Sequence, residues 1–220
     1  MQGLSAADGL LVVDVQRDFC PDGSLAVAEG WAVCEPLSEV AAAVAAAAGL
    51  VVATRDWHPP ESIHFRHWPP HCVAGTWGAE LHPRLHLPPG SLLLTKGEGE
   101  RDDAYSGFQA HDESGRSLEQ VLRQAGIRRL LVGGLATDYC VRATVLDALA
   151  LGFEVIVLAD AIRAVELNAG DSERAIEEMM RAGAKSASSS EAVAQAADSP
   201  GANKAASSAS GPKVQPERKR

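Results

Sequence analysis

Three short apolar runs end on polar residues of strong chemistry. Leu10-Leu-Val-Val closes on Asp14, Leu92-Leu-Leu-Thr on Lys96, and Leu130-Leu-Val-Gly-Gly-Leu-Ala leads through Thr-Asp-Tyr to Cys140. Runs of this kind, bounded by glycine or polar residues, read as strands buried on both faces. Between them the apolar spacing becomes helical. The expected order is strand 10–15, an Ala-rich helix 31–48, strand 50–54, strand 91–95, helix 117–125, strand 129–134, helix 138–151, strand 153–158 and helix 172–182. Gly49, Gly126 and Gly152 stand where helices should end, and Ser117 and Asp171 where they should begin. The alternation predicts an α/β fold of three layers, α/β/α, with a mostly parallel, Rossmann-like central sheet. Open parallel sheets bind ligands beyond the carboxyl ends of their strands, so Asp14, Lys96 and Cys140 are expected to meet there.

Two segments depart from this rhythm. Residues 55–90 contain Trp57, Trp68, Trp77 and six of the seven histidines, and propose no regular element. A loop of that length inside a compact domain is usually functional, and its aromatic and imidazole content suits a roof over the site. From about residue 196 the chain is rich in Ala, Ser, Gly, Pro and Lys, with Val214 as its one large apolar residue. Such a stretch buries too little surface to offset its chain entropy, so 1–195 is read as one catalytic domain and 196–220 as a disordered basic tail.

Charge narrows the partners. The formal net charge of -9 divides into +3 on residues 196–220 (five Lys/Arg, two Asp/Glu) and -12 on the rest (15 Lys/Arg, 27 Asp/Glu), which argues against a nucleic-acid surface on the domain. No apolar run approaches the roughly 20 residues that span a bilayer, and residues 1–9 carry no basic leader, so no membrane association and a cytoplasmic location are expected. Cys20, Cys34, Cys72 and Cys140 lack CxxC spacing and are expected as free thiols. A homo-oligomer is left open.

The chemistry sits on a few residues. Cys140 lies where a strand passes into a helix, and the helix start favours a thiolate; the alternative is an inert buried cysteine. Gly133 and Gly134 permit a sharp turn, and Thr137 or Asp138 can cap the helix, leaving amides near Cys140 as an oxyanion hole. Asp14 and Lys96 are natural partners, either as a structural ion pair or as catalytic groups beside the cysteine. In the loop, Asp56-Trp-His58, His64 and His71 combine carboxylate and imidazole donors that suit Zn, Fe(II) or Mn. Phe19, Trp68, Tyr105 and Phe108 are either core filler or the walls of a slot for a flat ring.

These pieces match a known pattern. Val13-Asp-Val-Gln-Arg-Asp-Phe, Arg55-Asp-Trp-His58, Trp68-Pro-Pro-His-Cys72, Thr95-Lys-Gly97, Ala104-Tyr-Ser-Gly-Phe108 and Gly134-Leu-Ala-Thr-Asp-Tyr-Cys140 resemble, in that order, the nicotinamidases of the isochorismatase-like cysteine hydrolase superfamily. The resemblance implies an isochorismatase-like fold and a catalytic triad of Asp14, Lys96 and Cys140. It implies one divalent metal, with zinc favoured over iron or manganese, held by Asp56, His58 and His71, and in some members by His64. It also implies a cis peptide between Leu135 and Ala136, with the Ala136 and Cys140 amides as the oxyanion hole. Candidate substrate contacts are Phe19, Trp68, Tyr105, Leu135 and Tyr139. The implied reaction converts nicotinamide and water to nicotinate and ammonia through a cysteine thioester, as a step of NAD salvage. The alternatives are a related amidase for carbamoyl or ureido substrates, and a catalytically silent binding protein on the same fold.

Overall fold

The computed structural model describes residues 3–99 and 103–197. Its centre is one six-stranded sheet in the order β3-β2-β1-β4-β5-β6, with every neighbouring pair parallel. The strands are β1 Asp8–Val13, β2 Leu50–Asp56, β3 Leu92–Lys96, β4 Arg129–Leu135, β5 Glu154–Arg163 and β6 Lys185–Ala187. The helices are α1 Cys34–Ala46, α2 Leu118–Gln124, α3 Arg142–Ala150, α4 Asp171–Ala182 and α5 Ser189–Ala197.

Alternation along β1 shows why this is a three-layer molecule. Leu10 and Val12 pack with Leu37, Val40 and Val44 of α1 and Ala192 of α5, whereas Leu11 and Val13 pack with Leu118, Leu122, Val145 and Met179 of the other three helices. Every residue of β1 is buried, so this central strand has no solvent face and its run can be apolar throughout. Among the described residues no helix is long and apolar enough to cross a membrane.

The elements follow the expected order, with physical reasons for each difference. Strand β5 runs to Arg163, past the expected end at 158, because its pairing with β4 is interrupted by a bulge and resumes at Ile162 and Arg163; Asp160 lies in the interruption, where its carboxylate accepts the Ser189 amide at the start of α5 at 2.8 Å. Strand β6 and helix α5 lie outside the expected elements; Lys-Ser-Ala is too short and polar to read as a strand, and α5 takes in Ala196 and Ala197, which the composition assigns to the tail. The rest of the expected disordered tail lies outside the described residues. Ser117 caps α2 in a reciprocal capping box with Gln120. After α1 the left-handed residue is Ala48 rather than Gly49; Gly49 is small because a Cβ would stand 2.5 Å from the Asp8 carbonyl oxygen.

The sheet reverses its order between β1 and β4, and the backbones are closest there. Gly134 has φ +130°, and a Cβ on it would lie 2.0 Å from the Val13 carbonyl oxygen. Any side chain would force the two central strands apart beneath the site. Gly134→Ala is therefore expected to lower the unfolding free energy by about 3 kcal/mol or more. Denaturant titration measures this, and a loss under about 1 kcal/mol would contradict the close approach.

Candidate active site

Register brings the chemistry together. Asp56 and Lys96 are directly paired on adjacent parallel strands, so their side chains leave the same face side by side. The Lys96 ammonium lies 2.5 Å from Asp56 Oδ1, 2.9 Å from Asp14 Oδ2 and 3.7 Å from Cys140 Sγ. Thr54, two residues before Asp56 on that face, donates its hydroxyl to Asp14 Oδ1 at 2.6 Å. Asp14 itself has φ +48°, the sharp turn that ends β1. The carboxylates of Asp14 and Asp56 and the Cys140 sulfur each place one atom within 4.8 Å of the other two. Asp14, Lys96 and Cys140, singled out from three separate strand ends, are thus in mutual reach.

The protonation of this cluster differs from one expectation. Burial opposes the Lys96 charge, but Asp14 and Asp56 outweigh it and push the ammonium well above its ordinary value. Burial, with Asp56 adding to it against the pull of Lys96, raises Asp14. Burial also raises Cys140 well above its ordinary value, because Lys96 is opposed by two carboxylates. The first turn after β4 is the wide π-type turn Thr137–Val141 rather than an α-helix, and its first residues make no side-chain cap. Burial thus favours the neutral thiol of Cys140.

The turn that carries Cys140 is shaped by a cis peptide between Leu135 and Ala136. The Ala136 carbonyl accepts the Tyr139 and Val141 amides, both at 3.1 Å, which folds residues 136–141 around one point. Thr137 and Asp138 do not cap the helix; the Asp138 carboxylate instead accepts the Val165 and Glu166 amides at 3.0 and 2.9 Å.

A second cluster faces the first. His58, His64 and His71 are buried, and one ring nitrogen of each lies within 4.8 Å of the others. His71 Nδ1 sits 2.7 Å from the Pro69 carbonyl, so it donates there and leaves Nε2 as a lone pair. His64 Nδ1 is 2.9 Å from Asp103 Oδ1, which orients it the same way. Burial lowers His71, keeping the imidazole neutral. The donor set, three buried imidazoles of which His64 and His71 are held by hydrogen bonds at Nδ1, fits a divalent cation such as zinc. Asp56 faces both clusters, with Oδ1 on Lys96 and Oδ2 3.9 Å from His58 Nε2. Gly97, at φ +75°, leaves room for the His58 ring, which a Cβ would meet at 2.8 Å.

Between the clusters lies a narrow cleft of about 370 Å³ of empty space including its mouth. Phe19, Trp68, Tyr105 and Tyr139 line it with Ala136 and Cys140, so four of the five candidate contacts reach it. Trp68 donates its indole N–H to the Tyr105 hydroxyl at 3.1 Å, which holds the two rings together. Leu135 is the correction: its side chain is fully buried in the core on the α1 side, and the residue reaches the site only through its peptide bond to Ala136. Phe108 also belongs to the core, against Phe153.

Some groups that build the site were not singled out as candidates. Gln16 grips the Asp56 backbone on both sides, accepting its N–H and donating to its carbonyl, each at 2.7 Å, and donates to Ala79 at 2.9 Å. Asp18 accepts the Cys72 amide at 2.7 Å, fixing the chain beside His71. Both residues stand within the Val13–Phe19 motif, whose polar members signal buried backbone partners.

A model of the isochorismatase domain matches residues 8–191. The chain belongs to the isochorismatase family. Within it, this member is 40% identical over 195 residues to a nicotinamidase of Escherichia coli (strain K12), covering 80% of this chain and 92% of that protein. It superposes on a pyrazinamidase of Pyrococcus horikoshii in complex with zinc at TM-score 0.75 and 42% identity, over 83% of this chain and 99% of that one. A protein of L. infantum in complex with nicotinate gives TM-score 0.76 and 36% identity, over 86% and 96% of the two chains.

A resting thiol has a kinetic signature. Alkylation of Cys140 by iodoacetamide, followed by mass spectrometry of its peptide, should rise steadily with pH through 9 and show no plateau in the neutral range. A plateau reached below pH 8 would show a resting thiolate instead.

Proposed function

We propose that this isochorismatase-family chain hydrolyses nicotinamide to nicotinate and ammonia, a step that returns the pyridine ring to NAD synthesis. The observation that carries the reading is one ammonium, Lys96, touching two carboxylates and a thiol beneath an aromatic cleft whose wall carries His64 and His71, two of a cluster of three buried imidazoles. Its likeness to a nicotinamidase and to structures holding zinc and nicotinate supports it.

His58, His64, His71 and Asp56 would hold the metal. A bound divalent cation offers a Lewis-acidic partner to a heteroaromatic nitrogen and withdraws electron density from the ring that bears the amide. Phe19 and Trp68 flank the flat ring. Cys140 Sγ attacks the amide carbon as its proton passes to Asp14, and the Ala136 and Cys140 amides receive the developing oxyanion. In that transfer the negative charge moves from an oxygen 2.9 Å from Lys96 to a sulfur 3.7 Å from it, so the net charge of the buried cluster does not change. This is how a thiol too buried to ionise into water still serves as a nucleophile. Asp14 then gives the proton to the departing nitrogen, the C–N bond breaks, and ammonia leaves a thioester. A water enters and its oxygen bonds to the thioester carbon as Asp14 takes its proton; the C–S bond then breaks, and the proton returns to the sulfur as the pyridine carboxylic acid departs and ionises to nicotinate.

A carbamoyl or ureido substrate would leave the buried imidazoles and the aromatic walls without a partner, and a silent binding protein would have no need of the intact Lys96 cluster. The experiment is ammonia release from nicotinamide with bound metal quantified. Cys140→Ala should lower kcat by about 10³-fold or more. Removal of the metal by chelation should weaken nicotinamide binding about tenfold or more, restored by zinc. Wild-type turnover in Cys140→Ala would end the nucleophile assignment, and unchanged affinity after metal removal would end the metal's role.

A further inference from the structure

Asp138 stands two residues before the nucleophile and is buried, yet it touches neither Lys96, the imidazoles nor the cleft. Both its carboxylate oxygens are used on a different segment. Oδ1 accepts the Val165 amide at 3.0 Å and Oδ2 the Glu166 amide at 2.9 Å. The segment it holds follows β5 and leads into α4, and Val165 lines the cleft together with Ala136, Tyr139 and Cys140. Beyond Val165 the chain is held again: Glu166, at φ +57°, turns its own carboxylate onto the Gly170 and Ser172 amides at 2.6 and 2.9 Å, at the start of α4. Two carboxylate clasps in series therefore tie the nucleophile turn to the cleft wall and the wall to a helix. A hydrogen bond from a backbone amide to a charged acceptor is worth more than a neutral one, and two to one carboxylate fix direction as well as distance.

We infer that Asp138 is a positioning residue whose double hold on residues 165 and 166 sets Val165 as the wall that excludes bulk on the substrate ring. The inference rests on the proposed reaction and adds a determinant of its specificity. Asp138 shapes the site through Val165, not through contact with the reacting atoms. A cleft this narrow turns a small displacement of one valine into room for a methyl group, and one methyl in an apolar slot is worth about 10-fold or more in kcat/KM.

Asparagine at this position keeps one acceptor and replaces the other with an amino group that faces a backbone N–H, so Asp138→Asn releases one of the two amides. The test measures kcat/KM for nicotinamide and for its ring-methylated isomers in the wild-type protein, Asp138→Asn, Val165→Ala and the double variant. For at least one isomer, the ratio to nicotinamide should rise about tenfold in each single variant. It should rise no further in the double variant, because both changes remove the same wall. A merely structural loss would lower both rates together and leave the ratio unmoved. An unchanged ratio in Asp138→Asn, or additive gains in the double variant, would overturn the inference while leaving the reaction intact; absence of nicotinamide hydrolysis by the wild-type protein would overturn both. Hydrogen exchange on the unaltered protein provides a measurement that needs no variant to fold: the Val165 and Glu166 amides should be protected, and exchange at the rate of free peptide would overturn the clasp.

Discussion

The site depends on one buried ammonium. Lys96 comes from the edge strand of the sheet, passes Asp56 on β2, and reaches the end of β1 and the sulfur beyond β4. Burial opposes charge on Lys96 and on Asp14, and contact with opposite charge offsets that cost, since the ammonium meets both Asp14 and Asp56. With the thiol neutral, two carboxylates and one ammonium leave the cluster with one negative charge, so a thiolate would add a second in a dry setting. In the proposed reaction, proton transfer inside the cluster to Asp14 avoids that cost.

Parallel strand geometry makes such a cluster possible without a dedicated scaffold. Strand ends on one edge of a parallel sheet all face the same way, so Asp14, Asp56, Lys96 and the turn to Cys140 converge although up to 126 residues separate them. The helices bury the two faces and leave that edge open. The order reversal between β1 and β4 makes the crevice, and glycine at 134 lets the two strands approach where the nucleophile turn begins.

Much of this was legible in the chain because charge at the end of an apolar run is costly and therefore informative. Asp14 and Lys96 stood out for that reason, Cys140 by its place where a strand passes into a helix, and the histidines by their density between residues 58 and 71. What stayed hidden depends on three-dimensional context. The thiol's state could not be read from a strand-to-helix boundary, since Asp56 crosses from the loop motif into the same cluster and the first turn is π-type. Leu135 sits inside the quoted motif, yet strand alternation sends its side chain into the core. Short β6 and Ala-rich α5 carry little apolar periodicity of their own and gain their place from β5 and α1.

The buried polar residues around the cleft divide into two kinds, and their partners tell them apart. Gln16, Asp18 and Asp138 spend their hydrogen bonds on backbone groups of irregular segments: Gln16 on Asp56 and Ala79, Asp18 on Cys72, Asp138 on Val165 and Glu166. Irregular backbone folded against the end of a sheet has amides and carbonyls that no ladder satisfies, so side chains must supply the partners. Asp14, Asp56 and Lys96 instead meet titratable side chains, where a proton or a charge can move. From sequence, Asp138 reads as a helix cap and Asp14 as a partner of Lys96, and the structure keeps both on holding or pairing duty but gives Asp138 other amides to hold. A carboxylate already saturated by two backbone amides has its lone pairs committed to holding chain, whereas one shared between a hydroxyl and an ammonium retains a partner with which to exchange charge.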